Sequence, residues 1–366
     1  MQKKKICHVT SVHPYTDGRI FRKECISLAK IYDVSLIAAN VKDQELNGIH
    51  IYGVELAKNR LKRMLVLNRV FLKMMEIDAD VYHFHDPELL SIGYKAKMYG
   101  KKVIFDSHED VPLQITGKDW IPRPFRHTMS SLYRKYEESR LKHYDAVVSV
   151  TPSIVDRLKK CNNNTYQITN YPILKDFEDN RSWQNYICFT GGVSPQWMHD
   201  NIIRGIEGTG VKYVVAGIVE GNYLEQLKAL PSWDMVDYRG VVKPKEVSEI
   251  QQGAFAGMAL NDYVANVGFK LGSLGNTKLF EYMMSGIPVI ATDFILWKEI
   301  IDKYDCGLCV NPHNVEEVRK AIVFLLNHPK EAKRMGDNGR KAVLEQYNWA
   351  TQEKILFDMY DKVLKQ

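Results

Sequence analysis

A chain of 366 residues is long for one open α/β sheet and comfortable for two domains, and 45% apolar with 26% charged residues excludes a disordered chain. Fifty Lys and Arg against 44 Asp and Glu give a formal charge of +6, too small an excess to argue for nucleic acid, though it suits anionic substrates or a membrane surface. No apolar run is long enough to span a bilayer, and the start, MQKKKICHVTSVHPYTDG, lacks the unbroken apolar stretch of a signal peptide, so a cytoplasmic protein is expected.

Strand-like apolar runs recur at residues 6–12, 34–39, 81–84, 103–105 and 146–150, then at 186–189, 211–216, 255–260 and 288–291, with helical segments between them. This alternation predicts parallel sheets with helices on both faces, and nine runs divide better between two sheets than they fit into one. The polar stretch 170–183, which carries Pro172, is the expected hinge. The expected domains are 1–172 and 173–345, followed by a terminal segment 346–366. Within that segment Ile355, Leu356, Met359, Tyr360, Val363 and Leu364 stand at helical spacing and need a partner surface, which the first domain could supply.

Ligands of open α/β sheets sit beyond the carboxyl ends of the strands, so the residues after each run carry most of the functional signal. After the first run, Asp17, Gly18 and Arg19 combine a glycine with opposite charges. After the third, His83 and His85 share one side of a strand, with Asp86 following. That trio has the residue types of a metal site, but no recurring ligand pattern completes it, and a buried, hydrogen-bonded His83 with His85 nearer the ligand is the preferred reading. After the fourth run comes Asp106-Ser107-His108-Glu109; two successive strand ends bearing His and acids converge on one crevice. Asp106 and Ser107 also read as simple caps of the next segment. Gly191-Gly192, after the strand that opens the second half, lets phosphate approach backbone N–H groups, without forming a dinucleotide fingerprint or a P-loop.

The stretch NTKLFEYMMSGIPVIATD, residues 276–293, is the most specific. Asn276 and Thr277 can cap a helix on which Lys278 and Glu281, three apart, share a face before Gly286 stops it. A Lys and a Glu together there suit a nucleotide, the cation facing phosphate and the carboxylate accepting from ribose hydroxyls. The ordinary alternative is a solvated ion pair. The six cysteines are scattered and read as reduced thiols; the Cys306–Cys309 CxxC has no second half, so no zinc site and no metal is expected. The basic amphipathic segment 59–74 reads as a domain helix with a solvated face, or as a contact for anionic lipid.

With HPYTDGRIFRKE, YHFHDPELL, FDSHEDVP, TGG, NTKLFEYMMSGIPVIAT and the terminal YNW in place, the chain resembles the retaining glycosyltransferases of family 4 over nearly its whole length. The resemblance implies the α/β GT-B fold, two Rossmann-like, doubly wound parallel-sheet domains facing a central cleft, with the nucleotide-sugar donor mostly on the second domain and a glycan or lipid-linked glycan acceptor mostly on the first. It implies no cofactor. Glu281 would bind ribose, Lys278 the nucleotide or diphosphate, and Gly191-Gly192 the diphosphate, while His108 would lie by the donor sugar. His108, Glu281 and Lys278 are the implied catalytic set, and Asp17, Gly18, Arg19, His85 and Asp86 the acceptor side. The implied activity is retaining transfer to a polysaccharide or cell-envelope glycan, in the cytoplasm or at the inner face of a membrane. Two departures stand out. Ser273 takes the place of the family's first glutamate, so Ser273, Leu274 and Gly275 would offer backbone N–H groups to the sugar, and no Arg–Lys pair follows Gly192. Epimerisation or hydrolysis of a nucleotide sugar, and a non-catalytic binding relative, are the alternatives left open.

Overall fold

The computed structural model describes residues 3–55, 60–174 and 183–365, with side chains from residue 67 onward in the helix Arg60–Ile77. Residues 175–182 of the expected hinge, and Asn59 with the side chains of Arg60, Lys62 and Arg63, lie outside the described residues. The chain forms two compact units, one made of Met1–Asn170 with Trp349–Gln366, the other of Tyr171–Asn348.

Among the described residues the first unit holds eight strands: β1 (Lys5–Val9), β2 (Asp33–Ala39), β3 (Gln44–Leu46), β4 (Ile49–Val54), β5 (Val81–Phe84), β6 (Lys102–Ser107), β7 (Ala146–Ser149) and β8 (Thr165–Gln167). Their order is β3-β4-β2-β1-β5-β6-β7-β8, parallel except for the β3–β4 pair. Apolar clusters cover both faces, which is why β5, β6 and β7 read as continuous apolar runs rather than alternating ones. The terminal helix Trp349–Lys365 belongs here: Leu356, Met359, Tyr360 and Val363 pack with Ile6, Leu28 and Leu36. It is pinned by Trp349 Nε1 donating to Ser27 Oγ at 2.9 Å and Thr169 N donating to Gln352 Oε1 at 2.8 Å.

The second unit holds β9 (Gln184–Thr190), β10 (Lys212–Ala216), β11 (Val236–Tyr238), β12 (Ala254–Ala259), β13 (Val289–Thr292) and β14 (Gly307–Val310). All run parallel in the order β11-β10-β9-β12-β13-β14, again with a core on each face. In each unit the strand order reverses beside the first strand, at β1/β5 and at β9/β12, and there the loops leaving neighbouring strands part to leave a crevice. No described helix is long and apolar enough to cross a membrane.

Candidate functional site

In the second unit an open pocket of about 660 Å³ lies beyond the carboxyl ends of β9 and β10, lined by Gly191, Gly192, Ile218, Val241, Lys278 and Glu281 among others. The helix Lys278–Met284 brings its two charged residues there because its other face is apolar: Leu279, Phe280, Tyr282 and Met283 are buried. Tyr282 lies flat over β12 at Gly257, where a Cβ would come within 2.2 Å of the ring. Its hydroxyl accepts from Thr190 N at 3.3 Å, which fixes the helix to the end of β9. Thr277 is the cap residue but its hydroxyl donates to Glu281 Oε1 at 2.6 Å, while Asn276 Oδ1 accepts from Lys278 N at 3.2 Å.

Lys278 Nζ donates to Glu281 Oε2 at 2.7 Å, with both side chains partly buried. Gly191 sits against this lysine at φ +155°, and a Cβ there would meet Lys278 Cε at 2.7 Å. Its absence is what lets cation and turn share the pocket floor. Gly191 N donates to Ala216 O at 2.8 Å, which ties the turn to β10. Ser273, Leu274 and Gly275 stand in the approach to the helix, with Ser273 Oγ accepting from Gly275 N at 3.1 Å and Ser273 O accepting from Trp297 Nε1 at 3.0 Å. They do not line the pocket. Neither of two other cations of this unit stands in for the Arg–Lys pair missing after Gly192: Lys270 is committed to Asp293 Oδ2 at 2.5 Å and to the Tyr263 hydroxyl at 2.9 Å, and Arg204 is exposed on the helix His199–Ile206. That helix is separated from Gly192 by the turn Pro195–Trp197 and by Met198 at φ +51°, so its amino end does not follow directly from the glycine turn. The apolar pocket walls Ile218 and Val241, 71% and 74% exposed, had no signal in the sequence.

In the first unit a second open pocket, also of about 660 Å³, is lined by His13, His85, Asp86, Asp106, His108 and Glu109 among others. The chain after β1 makes a π-helical turn, Ile20–Cys25, in which Arg22 N donates to Asp17 O at 3.1 Å. Asp17 Oδ1 accepts from the N–H groups of Arg19 and Ile20, both at 2.8 Å, so this carboxylate opens the turn. Arg19 and Asp86 are turned inward, 4% and 1% exposed. Asp86 Oδ2 accepts from Thr10 Oγ1 at 2.8 Å and Ser11 N at 2.5 Å, holding the loop after β1 against β5. Gly18 faces open space.

Asp106 is not a cap. It is fully buried, and its Oδ2 accepts from Arg19 Nε at 2.7 Å and lies 3.2 Å from His108 Nε2. Burial alone would raise this carboxyl, but Arg19 and His108 outweigh it and hold it well below the usual carboxylate range. Three imidazoles continue inward from His108: His108 Nε2 to His85 Nδ1 at 3.2 Å, His85 Nε2 to His8 Nδ1 at 2.9 Å, and His8 Nε2 to the Tyr360 hydroxyl at 3.4 Å, which meets His83 Nδ1 at 2.9 Å. Burial pushes His8, His83 and His85 down, so these rings are neutral. Sequence reasoning missed His8, Glu24 and Tyr360. The pattern hid them: His8 interrupts an apolar strand, Glu24 sits among charged neighbours, and Tyr360 reads as one more apolar helix residue.

Two α/β units, each with a pocket beyond the carboxyl ends of its strands, fit the GT-B fold, and the family matches make this a GT-B glycosyltransferase. It belongs to the family 4 type: the family described as Glycosyltransferase Family 4 matches residues 25–169, and Glycosyl transferases group 1 matches residues 173–342. The MMP α-(1→4)-mannosyltransferase of Mycolicibacterium hassiacum is 31% identical over 85 residues, 23% of this chain and 21% of that enzyme, so the match spans about a fifth of the relative's length. Among solved structures, sucrose-phosphate synthase from Thermosynechococcus elongatus superposes with a TM-score of 0.78 at 13% identity, covering 99% of this chain and all 100% of the other. The Anabaena protein HepE in complex with UDP-glucose superposes at 0.70 and 12% identity, covering 98% and 99%. Both share the fold.

Proposed function

We propose that the protein transfers a hexose, with retention at the anomeric carbon, from a nucleoside diphosphate sugar to a polysaccharide or cell-envelope glycan. The observation that carries this reading is the Lys278–Glu281 pair beside Gly191 in one pocket. An ammonium has three donors; with one on Glu281, two remain for the diphosphate, and Glu281 keeps acceptor capacity for ribose hydroxyls. Exposed Ile218 and Val241 suit the apolar face of a nucleobase. HepE, of the same fold, is held with UDP-glucose, which makes a uridine donor the first to try.

Lys278 would stabilise the departing diphosphate, with the N–H group of Gly192, since Gly191 N is spent on Ala216 O, and no metal is needed for that charge. A sugar reaching beyond the pocket lining would meet the segment Ser273, Leu274 and Gly275, whose Gly275 N is already spent on Ser273 Oγ, and His108 would hydrogen-bond it. Asp17, Gly18 and His85 border the acceptor, while Arg19 and Asp86 act by holding the loop that does so. Peripheral contact with a membrane belongs to the same reading and supplies a lipid-linked acceptor. It is supported by the helix Arg123–Leu141, whose Phe125, Met129 and Leu132 share a face and are 60%, 41% and 62% exposed, next to Trp120 at 65%. Exposed Lys118, Arg123, Arg134 and Lys135 surround them and suit anionic headgroups.

The test is product analysis by NMR across donors and glycan acceptors. A glycoside with the donor's anomeric configuration is expected. Inversion would refute the mechanism, sugar isomers or free sugar without acceptor would make it an epimerase or hydrolase, and donor binding without turnover would make it a non-catalytic relative.

A further inference from the structure

Behind the first pocket, His8 on β1, His83 on β5, His85 just beyond it and Glu24 on the π-helical turn converge, none more than 2% exposed. One ligand atom from each lies within 4.8 Å of all the others. His8 Nδ1, His85 Nε2 and Glu24 Oε2 form a triangle with sides of 2.9, 3.8 and 3.9 Å. The circle through those atoms has a radius of about 2.1 Å, the length of a zinc–nitrogen or zinc–oxygen bond.

Two independent observations point to a cation at that centre. Among the described residues neither oxygen of Glu24 accepts a hydrogen bond, Arg19 Nε standing 3.1 Å from Oε1 as an ion pair, and His83 Nε2 has no hydrogen-bond partner, so a buried carboxylate and a buried imidazole of the cluster are left without hydrogen bonds. Such groups cost stability unless something answers them. The outward nitrogens, by contrast, are all engaged. His85 Nδ1 faces Asp106 Oδ2 at 3.5 Å, and His8 Nε2 and His83 Nδ1 face the Tyr360 hydroxyl at 3.4 and 2.9 Å. A carboxylate or hydroxyl behind each ring is what metal-bound imidazoles use to fix their tautomer. Arg19, 3.1 Å from Glu24 Oε1 and 2.7 Å from Asp106, balances only one of two buried carboxylates.

We propose that His8, Glu24, His83 and His85 bind one divalent transition-metal ion, zinc by the nature of the donors, which ties the π-helical turn to β1 and β5. Three imidazoles and a carboxylate close a four-coordinate shell with no open position, so the ion is structural and takes no part in transfer. The neighbouring trio His85, Asp106 and His108 is the weaker candidate, since Asp106 Oδ2 already accepts from Arg19.

The test uses the untagged full-length protein expressed with added zinc and passed through metal-free buffer. Elemental analysis should find about one zinc per chain, and cobalt(II) exchanged into the site should give the visible absorption of a tetrahedral ion. Glu24→Gln, isosteric and neutral, removes a ligand and should leave the chain unable to keep zinc through metal-free buffer. Chelator should lower Tm in the wild type and leave Tm of Glu24→Gln unmoved. A folded wild type with no stoichiometric zinc and no cobalt spectrum would overturn the proposal and leave the His8–His85 contact as an N–H to N hydrogen bond. Full zinc content in both Glu24→Gln and His83→Phe would place the ion elsewhere and overturn it equally. None of these readouts depends on the donor site.

Discussion

Gly191→Ala tests the floor of the donor pocket with one methyl group. The new Cβ would stand 2.7 Å from Lys278 Cε and 3.2 Å from its Nζ, at φ +155°. Ordinary carbon contacts lie near ~3.5–4.0 Å, so the lysine must retreat by about 1 Å or the turn must deform. The retreat pulls Nζ from Glu281, now 2.7 Å away, and from any phosphate it holds. Losing one charge-assisted hydrogen bond costs about 1.5–3 kcal/mol, or roughly 10- to 150-fold in affinity, and the strained backbone adds ~1–3 kcal/mol of instability. Gly192→Ala is the internal control, because nothing lies within 4 Å of its Cβ. Calorimetric titration with the cognate nucleoside diphosphate reads the affinity, and Tm without ligand reads the strain. Gly191→Ala should lose both, and Gly192→Ala should keep the unliganded Tm. Wild-type affinity in Gly191→Ala, or an equal loss of Tm in both variants, would refute the reasoning.

Burial pushes the His199 imidazole down to about 3, from 6.5, so below pH 6.5 the unfolded chain takes up a proton that the folded one does not. Stability should therefore fall as pH falls, by about 1.4 kcal/mol per unit, and urea melts at pH 7 and pH 5 should show a shallower dependence in His199→Phe. Arg19→Met leaves Asp106 buried without its hydrogen-bonded cation and should cost about 3–5 kcal/mol in denaturant melts; a loss under ~1 kcal/mol would contradict the pairing. Phe125→Glu with Leu132→Glu changes two exposed side chains, so Tm should hold while pelleting with anionic vesicles at low salt is lost; a wild type that never pellets would remove the membrane contact.

How much of this was legible differs element by element. β5 and β7 lie under cores on both faces, so their runs are mostly apolar, broken only by His83 and Ser149, and stand out. β3, β8 and β11 are three-residue edge strands with polar residues and leave no pattern, and β4 has exposed His50 amid its apolar residues. The Lys278–Glu281 contact was legible because three-residue spacing on a regular helix sets it. Glu24 was not, because it rides on a π-helical turn: hydrogen bonds five residues apart shift the phase, and a charged residue that a regular helix would send outward faces Arg19 and His8 instead. Asp106 read as a cap because its partner Arg19 is 87 positions away, and no local spacing encodes such a pair.

The most direct test of the donor site is thermal stabilisation across UDP, GDP, ADP, CMP and dTDP, repeated with Lys278→Ala and Glu281→Ala. At a hundredfold excess over Kd the matching nucleotide should add ~2.7 kcal/mol, raising Tm by about 5–10 °C for a unit of this size, and both variants should lose that shift while keeping the unliganded Tm. A shift that survives Glu281→Ala unchanged, or no shift with any nucleotide, would contradict a donor site at Lys278 and Glu281.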